Sequence, residues 1–201
     1  KYKVTLFEKN DYLGGHVHTV VIPNGPDAGT PVDTGFIVMN DRNYPLFRRF
    51  LDELGVKTRA SDMSFGFSCR TTGMEYKGSN LDGLFANRRN LVSPTFWKML
   101  WEIRRFFQQA PLDLKANKLK GVSLGDYLKQ EKYKEVFIKD HILPMASAIW
   151  SSPPGKILEF PSEAFVRFFV NHGLLTWSDR PQWQTIVGGS HSYIKAFRQK
   201  F

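Results

Sequence analysis

Lys1-Tyr2-Lys3-Val4-Thr5-Leu6-Phe7-Glu8, then Leu13-Gly14-Gly15-His16, then Pro31-Val32-Asp33-Thr34-Gly35-Phe36, is the stretch on which the reading of the whole chain turns. Tyr2, Val4 and Leu6 are apolar at alternate positions and Phe7 joins them, which predicts a strand ending on the acidic Glu8. Gly14 and Gly15 follow after a short polar segment. Glycines there let backbone approach a ligand more closely than a Cβ would allow. A plain Gly-Gly turn between two strands explains the pair by itself. Its combination with Glu8 and with Asp33-Thr34-Gly35 favours a cofactor-binding segment.

In a dinucleotide-binding β-α-β unit, an acidic residue at the carboxyl end of the second strand accepts the ribose hydroxyls. Glu8 occupies such a position, and the glycine-rich turn that belongs to the unit would precede Lys1. A strand without its central neighbour would leave an open edge, which a second copy could pair with in a homo-oligomer.

Composition narrows the classes. The 201 residues are 42% hydrophobic and 23% charged, which is globular rather than disordered. Cys69 is the only cysteine, so an internal disulfide and a C-x-x-C pair are excluded, and a reducing, cytoplasmic setting is expected. Redox chemistry would then belong to a cofactor. Lysine and arginine number 28 against 19 acidic residues, a net charge of +9. These cations are scattered as pairs such as Arg48-Arg49, Arg88-Arg89 and Arg104-Arg105. With no clustered basic stripe and no recognition motif, a nucleic-acid partner is not expected.

Further along, Pro45, Phe47, Phe50, Leu51 and Leu54 have helical spacing, with Gly55 as the stop. Phe65, Phe67 and Cys69 alternate as a strand, and Thr71-Thr72-Gly73 turns it into a hairpin with Met74-Glu75-Tyr76. Cys69 reads as a small buried hydrophobe within that strand. Ser93-Pro94 starts a long helix on which Phe96, Leu100, Ile103 and Phe107 form a stripe widened by Trp97, Met99, Trp101 and Phe106. So many apolar positions predict a buried helix; the alternative is an interfacial one in peripheral contact with a membrane, where Trp, Phe and Arg are suited. Ser123 caps a short helix, Tyr133 to Ile149 is another with an interruption near Pro144, and Ser162-Glu163-Ala164 opens a last apolar helix stopped near Gly173.

The ordered set Leu13-Gly14-Gly15-His16, Asn40-x-x-x-Tyr44-Pro45, Ser61-Asp62-Met63-Ser64-Phe65 and Arg180-Pro181-Gln182-Trp183 resembles the FAD-dependent amine-oxidase-like oxidoreductases. Within them it is most similar to the bacterial predicted NAD/FAD-binding proteins and to the amino-terminal region of plant cyclopropane fatty acid synthases. The resemblance spans essentially the whole chain. It implies an α/β, mixed α+β fold: a partial Rossmann-like FAD-binding domain over 1–60, a largely helical substrate-domain portion over 61–180, and a return towards the FAD domain over 181–201. It also implies an internal fragment, inactive alone, with the glycine-rich turn before Lys1 and a last FAD-contacting segment after Phe201. Where many amine oxidases carry an arginine after the Gly-Gly pair, this chain has His16.

The residues and the resemblance together suggest roles residue by residue. Glu8 accepts the adenosine ribose hydroxyls, Gly14 and Gly15 admit the pyrophosphate with His16 beside it, and Asp33, Thr34, Gly35 and Phe36 bring backbone to the flavin. Trp150, Trp183, Gly188, Gly189, Ser190 and Tyr193 line the substrate pocket, although core packing and an ordinary glycine-rich loop explain these residues too. Backbone N–H groups after Gly188-Gly189 are suited to an anion or a polar flavin edge. His16 and His18 lack a third ligand, so no metal is expected. The function implied is hydride transfer between a hydrophobic, acyl-lipid substrate and FAD. The alternative is a non-catalytic module assisting a fatty-acid-modifying enzyme.

Overall fold

The computed structural model describes residues 3–78, 80–176 and 180–201. In chain order the elements are β1 (Thr19–Val21), β2 (Pro31–Asp33), α1 (Pro45–Leu54), β3 (Thr58–Ser61), β4 (Gly66–Ser68), β5 (Glu75–Lys77), α2 (Leu81–Leu84), α3 (Pro94–Lys115), α4 (Leu124–Gln130), α5 (Glu135–Phe137), α6 (Leu143–Trp150), α7 (Pro154–Leu158), α8 (Ser162–Asn171), β6 (Trp183–Ile186) and α9 (His191–Lys200). A 3-10 helix, Arg88–Val92, precedes α3, and a π-helix, Ile138–Ile142, separates α5 from α6. The chain divides into two compact units, Lys1–Met63 with Pro181–Phe201, and Ser64–Arg180.

In the first unit, α1 begins on Pro45, whose missing N–H costs nothing in a first turn, and ends on Gly55 in the left-handed conformation. Its inner face places Leu51 against Met39 and Ile186, with Phe36, Phe47 and Tyr193 around them. β3 pairs antiparallel with β6 in the register Thr58↔Ile186 to Ser61↔Trp183, which joins the two separate stretches of this unit. Side chains lock that join: Thr58 Oγ1–H donates to Gln184 Oε1 at 2.6 Å, and Gln184 Nε2–H to Asp41 Oδ2 at 2.8 Å.

The expected amino-terminal strand does not form. Residues 3–8 lie outside any ladder, and Val4, Leu6 and Phe7 are exposed, Phe7 to 91%. Lys1 and Tyr2 of that stretch are outside the described residues. A strand persists when its N–H and C=O groups are paired, and the described residues offer these six no partner strand. Helix and strand are mixed as expected, yet each sheet is a two-stranded antiparallel pair. The β-α-β crossover of a Rossmann unit is therefore not built by the described residues.

The second unit is helical around a large aromatic core. The β4–β5 hairpin turns at Cys69–Met74, with Cys69 half-buried rather than buried. Ser93 Oγ caps α3 by accepting the Phe96 N–H. Phe96, Met99, Ile103, Phe106 and Ala110 are buried, whereas Trp97 and Trp101 on the opposite face are exposed. So α3 is amphipathic, not buried all round. Asp113 on its inner side is desolvated, but hydrogen bonds from Lys118, Gln109 and Tyr127 outweigh that penalty and hold its carboxyl below the usual range.

Pro144 sets the other structural feature of this unit. In a regular helix the Asp140 carbonyl would accept the N–H of residue 144, and proline has none. The backbone is π-helical there, and the Asp140 carbonyl accepts the Tyr76 O–H at 2.8 Å instead. The Tyr76 oxygen is also 2.9 Å from His141 Nδ1. Because the phenol proton goes to the carbonyl, His141 Nδ1–H is the donor in that pair. Burial pushes the His141 pKa down from 6.5 to about 4.

Tyr76→Phe should lower the unfolding free energy by about 1–3 kcal/mol by stranding the Asp140 carbonyl. In a Pro144→Ala background, where an N–H is restored, the loss should be clearly smaller; equal losses in urea titrations would refute this role. The pH dependence follows from His141. Its folded pKa lies below the unfolded one, so the unfolded chain takes up a proton first as pH falls. This contribution is full above pH 6.5 and is lost between about 6.5 and 4, on the order of 3 kcal/mol. Urea titrations across that range should show a flatter slope for His141→Gln than for the parent protein.

Candidate functional site

Three candidate residues of the first unit, Asp33, Phe36 and Ser190, meet around one carboxylate. Thr19 and Asp33 face each other across the β1–β2 ladder, and Thr19 Oγ1–H donates to Asp33 Oδ1 at 2.6 Å. The Ser190 N–H donates to the same carboxylate, 2.8 and 3.0 Å from its two oxygens. The His191 N–H, at the start of α9, donates to Thr19 Oγ1 at 3.0 Å. Ser190 Oγ is 2.6 Å from the Phe36 carbonyl and 3.0 Å from Asp33 Oδ2, and its single proton serves the shorter bond.

This arrangement has an electrostatic consequence. A helix start exposes unpaired N–H groups and a partial positive charge. Asp33 and Thr19 take up the Ser190 and His191 donors, and the carboxylate supplies the negative charge that this end of α9 favours. Ser190 is fully buried. The donors that the sequence offered to an anion are thus spent within the protein, and a second anion would be repelled here.

Small residues make the closeness feasible. A Cβ on Gly189, whose φ is 86°, would overlap the Thr19 methyl group, and one on Gly35 would overlap the His16 carbonyl. Gly14 and Gly15 behave differently from each other. Gly14 (φ 123°) packs on Ile194 of α9, whereas nothing lies within 4 Å of where a Gly15 Cβ (φ 59°) would sit. Beside that open cradle His16 is exposed. Glu8 is exposed too, with Oε1 accepting the Asn10 N–H at 2.9 Å. Phe36 and Tyr193 pack edge-on against Phe47 at 5.2 and 5.3 Å and so belong to the core of this unit. Thr34 Oγ1 is 2.6 Å from His18 Nδ1.

Trp183 is half-buried in β6 and Gly188 is exposed in the turn after it, both in this unit. Trp150 is part of the other unit, its ring 4.9–6.1 Å from Phe160, Phe165, Phe168 and Phe169. Thr19 escaped the sequence reading, since a threonine on a short strand carries no signal of a partner far along the chain. No group of three His, Cys, Asp or Glu residues that could hold a metal occurs among the described residues.

An open backbone at Gly15 and an exposed Glu8 carboxylate are compatible with the pyrophosphate and ribose of FAD. Gly15→Ala, which meets open space, should cost about 1 kcal/mol for its backbone conformation. Gly189→Ala should cost a further 1–3 kcal/mol or so from the overlap with Thr19. Denaturant titration that finds the two equal would refute the close approach of β1 to the start of α9.

The sequence pattern of the family described as flavin containing amine oxidoreductase matches residues 1–154. A comparison with curated protein sequences gives no match. Solved structures of putrescine oxidase redesigned in cofactor binding share the fold. A double mutant is 18% identical with a TM-score of 0.63, and a triple mutant is 17% identical with a TM-score of 0.57; each is covered to 42% while 96% of this chain is covered. The chain therefore spans about two fifths of the length of these structures. By the extent of the family match the chain belongs to the flavin-containing amine oxidoreductases, and its cofactor is FAD.

Proposed function

We propose that the protein is an FAD-dependent oxidoreductase that takes a hydride from a C–H bond of a hydrophobic, acyl-lipid substrate. The observation that carries the oxidoreductase reading is the open backbone at Gly15, with an exposed Glu8, within the stretch that matches the family. Bound FAD supplies a two-electron acceptor, so no separate acid, base or nucleophile is required of the chain. Glu8 accepts the ribose hydroxyls, and Gly14, Gly15 and His16 admit the pyrophosphate. Asp33 and Thr34 hold the Gly35–Phe36 backbone in place, with Asp33 acting through Ser190 and Thr19 rather than on substrate. Trp183 and Gly188 are placed towards the substrate.

The substrate class is argued from charge. A net charge of +9 disfavours the approach of a polycationic amine and suits a neutral or anionic acyl compound. A second reading takes an amine as the hydride donor, and the structures it resembles, those of putrescine oxidase, favour it.

Glu8→Ala in the full-length protein should lower flavin content after dialysis by about tenfold, the loss of one or two charge-assisted hydrogen bonds, with the unfolding midpoint of the flavin-free protein unchanged. Unchanged content would remove Glu8 from the site. Anaerobic mixing with acyl lipids should bleach the flavin absorbance. Bleaching by diamines alone would establish the amine reading, and a colourless full-length protein would favour the non-catalytic module.

A further inference from the structure

The outer face of α3 is exposed beyond Trp97, whose ring packs 5.6 Å from that of Phe85, and it has a distinctive chemistry. Residues 97, 101, 104, 108, 112 and 115 share that face at helical spacing, and all are exposed. Trp97 is 50% and Trp101 64% exposed, and Val92, in the 3-10 helix just before α3, is 82% exposed. Leu91 and Leu112 extend the apolar surface. Amphipathic helices usually place tryptophan inwards, because its burial removes so much apolar area from water. Here Phe96, Met99, Ile103 and Phe106 already fill the inner face.

The charges around the tryptophans all have one sign. The acidic residues of α3 are Glu102 and Asp113, both buried and paired, with Arg105 and with Lys118. The outer face carries Lys98, Arg104 and Lys115, and Arg89 lies in the preceding 3-10 helix. None of these four has an acidic partner among the described residues. The Arg104 guanidinium lies 5.9 Å from the centre of the Trp101 ring. The Trp97 indole N–H donates to the Leu91 carbonyl at 2.9 Å, which ties the helix to the turn bearing Leu91 and Val92.

The geometry points to the outer face of α3, with Leu91 and Val92, as a peripheral docking surface for an anionic lipid bilayer. Indole rings are suited to the interface between headgroups and acyl chains, with aliphatic side chains below them and cations at the phosphate level. Each cation near such a surface adds attraction that salt screens. A single-stranded nucleic acid would also accept aromatic rings and cations. Leu91, Val92 and Leu112 offer nothing to bases or phosphates, and this decides for lipid. No helix of the described residues is long and apolar enough to cross a membrane, so the contact is peripheral. The proposal does not depend on the flavin reading, and its test needs no turnover.

The test is flotation of the protein with vesicles of phosphatidylcholine, with and without phosphatidylglycerol. The protein should float with the anionic vesicles and be released by high salt, with a blue shift of tryptophan emission on binding. Lys98→Glu with Arg104→Glu should weaken binding about tenfold or more. Trp101→Ser with Leu112→Ser should abolish both binding and the blue shift, while the far-ultraviolet circular dichroism melt stays within a few degrees of the parent. Absence of flotation with anionic vesicles, or binding untouched by these exposed substitutions, would overturn the proposal. So would preferential binding of a single-stranded oligonucleotide that displaces the vesicles.

Discussion

The Asp33 carboxylate is the constraint on which the first unit depends. It sits at the end of a three-residue strand, too short to be stable through its own ladder, and accepts donors from β1 and from the start of α9. Hydrogen bonds to an ionised acceptor are worth more than neutral ones, and removing the acceptor would strand several donors at once. One side chain thereby joins parts of the chain more than 150 residues apart in sequence. The glycines at 35 and 189 follow from it, because the segments it draws together leave no room for a Cβ.

A similar rule of polar satisfaction organises the second unit. There the stranded group is the Asp140 carbonyl, released because residue 144 is proline, and the group that relieves it is the Tyr76 hydroxyl. The hairpin and the π-helix are fixed to each other by that bond and by His141, whose neutral form burial enforces. In both units the irregular backbone is retained because a distant side chain satisfies it.

This explains what was legible in the sequence. Local signals read correctly: Pro45 and Gly55 bounding α1, Ser93 and Ser123 as caps, Thr71-Thr72-Gly73 as the hairpin turn, Gly173 after α8. Each is decided within a few residues by conformation and hydrogen bonding. The amino-terminal strand was misread because alternation states a preference, whereas a strand is made by its partner. Trp97 and Trp101 were misassigned to a buried helix, because counting apolar positions does not separate the two faces when both carry aromatics. Of the candidate site, the glycines and Glu8 were visible as residue types. The use of Asp33 and Ser190 on each other was not, since nothing in a single sequence couples positions so far apart.

The two units also differ in how their stability is supplied. The second encloses Phe96, Phe106, Phe137, Phe165 and Phe169, all essentially out of water. Among the described residues the first has a core cluster of Met39, Leu51 and Ile186, with Val17 also buried, and leaves Val20, Val21 and Val32 of its hairpin exposed. Burial of apolar area is the dominant favourable term in folding, so the first unit rests more on its polar network and less on packing. A group that binds only the folded arrangement adds to stability by mass action, and its share is largest where the core is smallest. The open backbone at Gly15 is in that unit. If FAD binds at Gly15, as proposed, its binding matters to the fold as well as to the chemistry.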